Sequence, residues 1–280
     1  MDPQRLYSDV CLECAKHITQ RYSTSFSLGI RLFEERLRGP IYAIYGFVRF
    51  ADEIVDTFHD HDKQALLDEF RQSTYHAIDR KLSLNPVLQA FQQAVHDYEI
   101  ERELIDAFLY SMELDIENQV YERSLYDTYI YGSAEVVGLM CLRVFTAEHP
   151  AMYEELKAPA KRLGAAFQKV NFLRDISSDF HDRGRVYFPG VQFQQFTDAD
   201  KAEIEAEIDA DFEAALEGIR ALPKGSRLGV HCAYVYFRNL LHRIQAKEAS
   251  TIARERVRVP NTAKVVLMLK SAVRHRLNAI

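Results

Sequence analysis

The chain has 280 residues, a net charge of −6 at neutral pH and 48% hydrophobic residues, which is enough apolar material for one large core. The acidic balance, with no basic stripe interleaved with aromatics, excludes a general nucleic-acid binder. Apolar runs such as 136–142 and 265–269 fall far short of the ~20 residues of a membrane span, and the polar, acidic N-terminus lacks a signal peptide's basic and apolar regions, so a cytoplasmic protein is expected.

Helical periodicity is the one periodicity that persists. It predicts helices at about 3–21, 40–58, 63–81, 86–97, 101–121, 125–147, 151–180, 199–220, 226–253 and 261–278. Glycine (11) and proline (8) are few and gather between these segments, and no linker divides them. The expected fold is therefore a single all-α domain over residues 1–280, of helices packed around an apolar cavity. Pro40 suits the first turn of the second helix, and Asn85-Pro86 and Thr197-Asp198 read as helix starts. Cysteines at 11, 14, 141 and 232 are too scattered for a disulfide framework. Cys11 and Cys14 with His17 lack a second ligand pair at zinc spacing, so one turn of a terminal helix is the preferred reading.

The second helix carries Tyr42, Tyr45, Arg49, Asp52 and Asp56 at spacings of three and four, hence on one stripe. An apolar stripe of Ile44, Phe47, Val48, Ala51 and Val55 lies beside it. The helix at 151–180 repeats the pattern with Gly164, Gln168, Asn171, Asp175 and Asp179, and Arg174 at the edge. A solvated face or an internally satisfied polar network would explain either stripe alone, but two Arg-flanked aspartate pairs within apolar surroundings argue for chemistry. Two carboxylates ~6 Å apart repel by about 3 kcal/mol at an effective dielectric near 20. A Mg²⁺ ion cancels that repulsion, takes oxygen ligands and prefers carboxylates shared with phosphate, while arginines fork onto phosphate oxygens. Small Gly164 would let a chain or a ligand come close. The segment from Gly184 through Arg185, Tyr187 and Phe188 to Pro189 reads as a lid or wall over the second aspartate pair, or as a plain helix-ending loop. Fingerprints of dinucleotide-binding, P-loop, nucleophile-elbow and zinc-protease sites are missing.

The last helix is basic in an acidic protein, with Lys264, Lys270, Arg274 and Arg276 beside an apolar side of Val265, Val266, Leu269, Val273 and Leu277. It is either the last core helix or a peripheral contact with an anionic bilayer, and the core reading is preferred.

In their order and spacing, Ser25-Phe26, the run Tyr42 to Arg49 leading into Asp52 and Asp56, Tyr129 to Gly138, and Gln168, Asn171, Arg174, Asp175 and Asp179 followed by Arg185 to Pro189 resemble the squalene/phytoene synthases. The similarity covers most of the chain, and its wording is most like the bacterial phytoene synthases of carotenoid biosynthesis. It implies a Mg²⁺-dependent prenyltransferase that condenses two geranylgeranyl diphosphates head to head through a cyclopropyl diphosphate, with Mn²⁺ as a substitute ion and no nucleotide. By the same resemblance Asp52, Asp56, Asp175 and Asp179 hold the metal and diphosphate, with Arg49 and Arg174 on phosphate. Ser25, Phe26, Tyr45, Tyr129, Gln168, Asn171 and Tyr187 are implied substrate-binding residues. Three positions depart from the family's wording: Glu53 stands where an aspartate is common, Glu135 where a small residue is common, and Phe237, beside Tyr236, where a tyrosine is common. The alternatives are squalene or dehydrosqualene synthase acting on farnesyl diphosphate, with NADPH in the squalene case, and a non-catalytic helical assembly protein of the same fold.

Overall fold

A computed structural model describes residues 2–117, 120–260, Leu267 and Ser271. Its helices are α1 (Pro3–Tyr22), α2 (Thr24–Ile30), α3 (Glu35–Asp56), α4 (Lys63–Arg80), α5 (Pro86–Asp97), α6 (Arg102–Glu117), α7 (Arg123–Ile130), α8 (Val136–Phe145), α9 (Ala151–Arg183), α10 (Asp198–Ala221), α11 (Lys224–Gln245) and α12 (Ala249–Ile252). A π-helical turn, Tyr131–Glu135, joins α7 to α8. Among the described residues there is no strand, only an isolated parallel bridge between Val120 and Val186. The all-α expectation holds, and among the described residues no helix is long and apolar enough to cross a membrane.

Side-chain caps set many of the helix starts. Asp62 accepts from the Ala65 amide at 3.0 Å to start α4, and Asn85 accepts from Val87 and Leu88 with Pro86 in the first turn of α5. At α10, Thr197 and Asp200 close a reciprocal capping box. Pro40, by contrast, does not start a helix: α3 begins at Glu35, and Pro40 sits inside it at the loss of one ladder bond. Leu37, buried a turn ahead of the proline, anchors that extra turn in the core. Helix α2, which the sequence reading lacked, is capped by Ser23 through the Phe26 amide. The expected helix at 226–253 is instead two helices, α11 and α12. The basic segment 261–278, and with it the bilayer contact, lies outside the described residues except for Leu267 and Ser271.

The expected helix at 125–147 is interrupted because its middle is wedged between two neighbours. A Cβ on Gly132 would lie 2.4 Å from the Ala107 carbonyl oxygen of α6, and one on Gly164 of α9 would lie 2.6 Å from the Ala134 carbonyl oxygen. Only backbone-to-backbone contact fits at these two points, and the π-turn takes up the misfit. Gly164 thus does admit a chain, and that chain is the π-turn.

Two apolar clusters flank a shared cavity. One is centred on Phe47 of α3, stacked on Phe91 at 3.9 Å and packed against Phe70 and Phe108. The other gathers Tyr129, Phe172, Phe212 and Phe237 from α7, α9, α10 and α11. Helix α9 passes between them, pinned to α10 by the buried Lys169, whose ammonium meets Glu207 at 2.5 Å and Asp211 at 2.6 Å. Asp211 also takes Arg162 at 2.9 Å, so the buried acid has two cations against it.

Gly164→Ala is expected to lower stability by about 1–3 kcal/mol, because the clash is with backbone that cannot rotate away. Gly29→Ala, whose Cβ would meet only the Gly229 carbonyl oxygen at 3.9 Å, should leave thermal unfolding close to wild type. Equal melting temperatures for the two variants would refute the wedge.

Candidate active site

The cavity holds about 270 Å³ and is walled mainly by α2, α3, the π-turn and α8 to α11. Ser25, Phe26, Gln168 and Asn171 are on its wall, with Ser133, Tyr236 and Phe237. Most of the remaining lining is apolar or glycine. Within it, the Ser133 Oγ and Asn171 Oδ1 atoms are buried and have no hydrogen-bond partner, so a ligand's polar group would find unspent capacity there. Phe237 lies stacked on Phe167 at 4.1 Å, which identifies it as wall.

The aspartates lie beyond one end of this cavity. On α3, Val48 lines the wall and Asp52 and Asp56 follow one and two turns later; on α9, Asn171 lines it and Asp175 and Asp179 follow in the same way. Arg49 pairs with Glu53, stands 4.0 Å from Asp52 and lies 4.4 Å over the Tyr22 ring. Glu53 also accepts from the Thr57 hydroxyl at 2.8 Å, and the longer acid at this position reaches both partners. Arg174 forks onto Asp175 at 2.9 and 2.5 Å, and Arg256, from the segment after α12, reaches the same carboxylate at 2.6 Å. Burial pushes the Asp175 carboxyl up, but the two guanidinium groups outweigh it and hold the group below the usual carboxylate range.

Arg185 closes the gap between the two motifs. Its amide donates to the Asp179 carbonyl at 2.9 Å, while its buried guanidinium meets the Asp56 carboxylate at 3.0 Å and the carbonyls of Asp115 at 2.9 Å and Val55 at 3.4 Å. The segment 184–189 is therefore a packed wall, with Arg185, Tyr187 and Phe188 all buried. Behind it, the buried Asp115 accepts from the phenols of Tyr129 at 2.7 Å, Tyr121 at 2.9 Å and Tyr187 at 3.0 Å, and lies 3.7 Å from Arg185. Burial raises the Asp115 carboxyl above its ordinary value, against the opposing pull of Arg185 and the phenols of Tyr129 and Tyr121. Burial likewise pushes the phenols of Tyr129 and Tyr187 well up, with Asp115 adding to it.

Of the substrate-binding residues expected from sequence, the structure brings Ser25, Phe26, Gln168 and Asn171 to the cavity wall. Tyr45 packs against Phe26 with ring centres 5.4 Å apart, one layer back. Tyr129 and Tyr187 are not on the wall, and both hold Asp115 instead. Glu135 is taken up by Lys161 at 3.1 Å, on the π-turn. Sequence reasoning missed Asp115, Tyr121 and Arg256. Asp115 had a signal, since it extends the buried stripe of Ile105, Phe108 and Met112 with an acid. Arg256 had none, because nothing local links it to Asp175.

Among the described residues no three His, Cys, Asp or Glu side chains converge as a ready metal cage. The donor set nevertheless fits a hard divalent ion: Asp52, Asp56, Asp175 and Asp179 offer oxygen alone, and the Asp52 and Asp56 side chains keep 34% and 28% of their surface accessible. The cations now against these carboxylates are guanidinium groups, which bind phosphate equally well.

Comparison with known proteins gives the same outline. The chain is 29% identical to the 15-cis-phytoene synthase of Synechococcus elongatus, over 95% of this chain and 94% of that one. It is 25% identical to the 4,4'-diapophytoene synthase of Staphylococcus haemolyticus, over 83% of this chain and 87% of the relative. A crystal structure of a dehydrosqualene synthase in complex with ligand superposes over the whole of both chains with a TM-score of 0.84 at 24% identity, a likeness of fold. The profile of squalene/phytoene synthase matches residues 19–263, a span that contains both aspartate motifs, the π-turn and the Arg185 wall, and the chain accordingly belongs to the squalene/phytoene synthase family.

Proposed function

We propose that this protein is a Mg²⁺-dependent phytoene synthase, which joins two geranylgeranyl diphosphates head to head through a cyclopropyl diphosphate intermediate and converts that intermediate to phytoene. Family membership makes it a prenyltransferase of isoprenoid and carotenoid biosynthesis; the C20 substrate, the ion and the residue roles are the proposal. The observation that carries it is an apolar cavity ending at two arginine-flanked aspartate pairs. Identity to a 15-cis-phytoene synthase along almost the whole chain supports the C20 choice.

In this reading Asp52, Asp56, Asp175 and Asp179 would hold Mg²⁺, which supplies charge stabilisation to a departing diphosphate. Arg49 and Arg174 turn from their carboxylates to phosphate oxygens, an exchange that keeps each guanidinium paired throughout. Because Arg174 and Arg256 hold Asp175 below the usual carboxylate range, it is ionised across the physiological range and ready to take a cation. The apolar wall around Phe26, Phe167 and Phe237 excludes water from carbocationic stages, while Gln168, Asn171 and Ser133 offer uncharged polar atoms that orient without quenching. The second reading, a dehydrosqualene-type synthase using farnesyl diphosphate, is favoured by the diapophytoene synthase relative.

Incubation with labelled C20 or C15 diphosphate and Mg²⁺, without nucleotide, separates the readings by product. A C40 hydrocarbon from the C20 substrate is expected. A C30 product from the C15 substrate alone would move the assignment, and no Mg²⁺-dependent diphosphate release from either would leave a non-catalytic member.

Asp52→Asn and Asp175→Asn are each expected to lower turnover by roughly 10²-fold or more with circular dichroism unchanged, since each removes an anionic oxygen ligand. Wild-type rates at limiting Mg²⁺ would remove them from the site. Arg174→Lys should cost roughly tenfold in kcat/KM despite the retained charge, because lysine cannot present a planar fork. Full activity with lysine would reduce Arg174 to a point charge.

A further inference from the structure

The Asp56–Arg185–Asp115 chain shares one cation between two carboxylates. The Arg185 guanidinium stands 3.0 Å from Asp56, which is partly exposed, and 3.7 Å from Asp115, whose side chain is 5% exposed. An ion that takes Asp56 must displace this guanidinium from it, and a buried guanidinium with no anion is costly. Asp115 removes that obstacle. It is a second, buried carboxylate within reach, and the Asp115 and Val55 carbonyls already hold the other arm of the fork. The phenols of Tyr121, Tyr129 and Tyr187 fix the Asp115 carboxylate where Arg185 can turn to it.

We propose that Asp115 is a positioning residue for metal loading: it serves as the alternate counter-charge of Arg185, so that Asp56 can exchange the guanidinium for a divalent cation. The proposal rests on the reading that Asp56 is a metal ligand. Asp115 itself touches neither ion nor substrate, and its effect is on how strongly Arg185 competes for Asp56.

The test is Mn²⁺ binding to the full chain in the presence of inorganic diphosphate, followed by the loss of the free-ion electron paramagnetic resonance signal. In Asp115→Asn all of the charge on Arg185 falls on Asp56, and Mn²⁺ affinity should drop roughly tenfold. In Arg185→Gln the competitor is gone, and affinity should equal or exceed wild type. The double variant should return to the affinity of Arg185→Gln, because Asp115 acts only through the guanidinium. Unchanged affinity in Asp115→Asn, or a double variant as weak as Asp115→Asn, would overturn the proposal. A purely structural role for Asp115 predicts the latter result, since removing Arg185 could not restore binding. Should Asp115→Asn fail to fold, Arg185→Gln decides alone, and weaker Mn²⁺ binding than wild type would sink the idea. Absence of Mn²⁺ binding by the wild-type protein, with diphosphate present, would instead refute the metal site itself.

Discussion

Crowded negative charge at the adjoining ends of α3 and α9 is the constraint that organises this molecule. Each helix brings two aspartates to the same end of one cavity, and in a partly buried setting such carboxylates repel strongly and drive one another toward protonation. Guanidinium groups resolve the conflict. Arg49, Arg174, Arg185 and Arg256 come from α3, α9, the wall after α9 and the segment after α12, so charge balance draws separate stretches of chain to one place. Since the same groups bind phosphate in a fork, the arrangement that makes the empty fold tolerable also suits a diphosphate ligand.

The other half of the design is the division of labour along α9. One face presents Gln168 and Asn171 to the cavity, while Lys169 turns away and pins the helix to α10 through two buried carboxylates. A helix of 33 residues that must hold its polar stripe in register benefits from an anchor of this kind, because truncating either partner would leave a buried charge alone. Rigidity on the α10 side thus underwrites geometry on the cavity side.

Much of this was legible in the sequence. The 3.6-residue stripes placed both aspartate pairs on single helix faces, and the caps at Asn85 and Thr197 were read correctly because capping is local chemistry. Pro40 misled for an equally local reason: a first-turn proline is the commoner case, and only the burial of Leu37 in the tertiary core explains why α3 starts earlier. The π-turn was invisible because it arises from close approach of α6 and α9 to Gly132 and Ala134, which no local pattern encodes. Tyr129 and Tyr187 were legible as members of the site region, but their partner is Asp115, and a carboxylate that three phenols share can be recognised only when four chain segments are seen together.

The π-turn also constrains how this chain can change. It holds one residue more than an α-helical turn of the same rise, and that surplus sets the rotation of everything C-terminal to it. Deleting a single residue from 131–135 would let the segment close as regular α-helix and swing α8 by about 100°. Val137, Gly138, Cys141 and Phe145, now on the cavity wall, would leave it as a group and be replaced by the opposite face. Insertions and deletions here act as a rotary change of the whole wall, so drift in this segment is confined to substitution at fixed length.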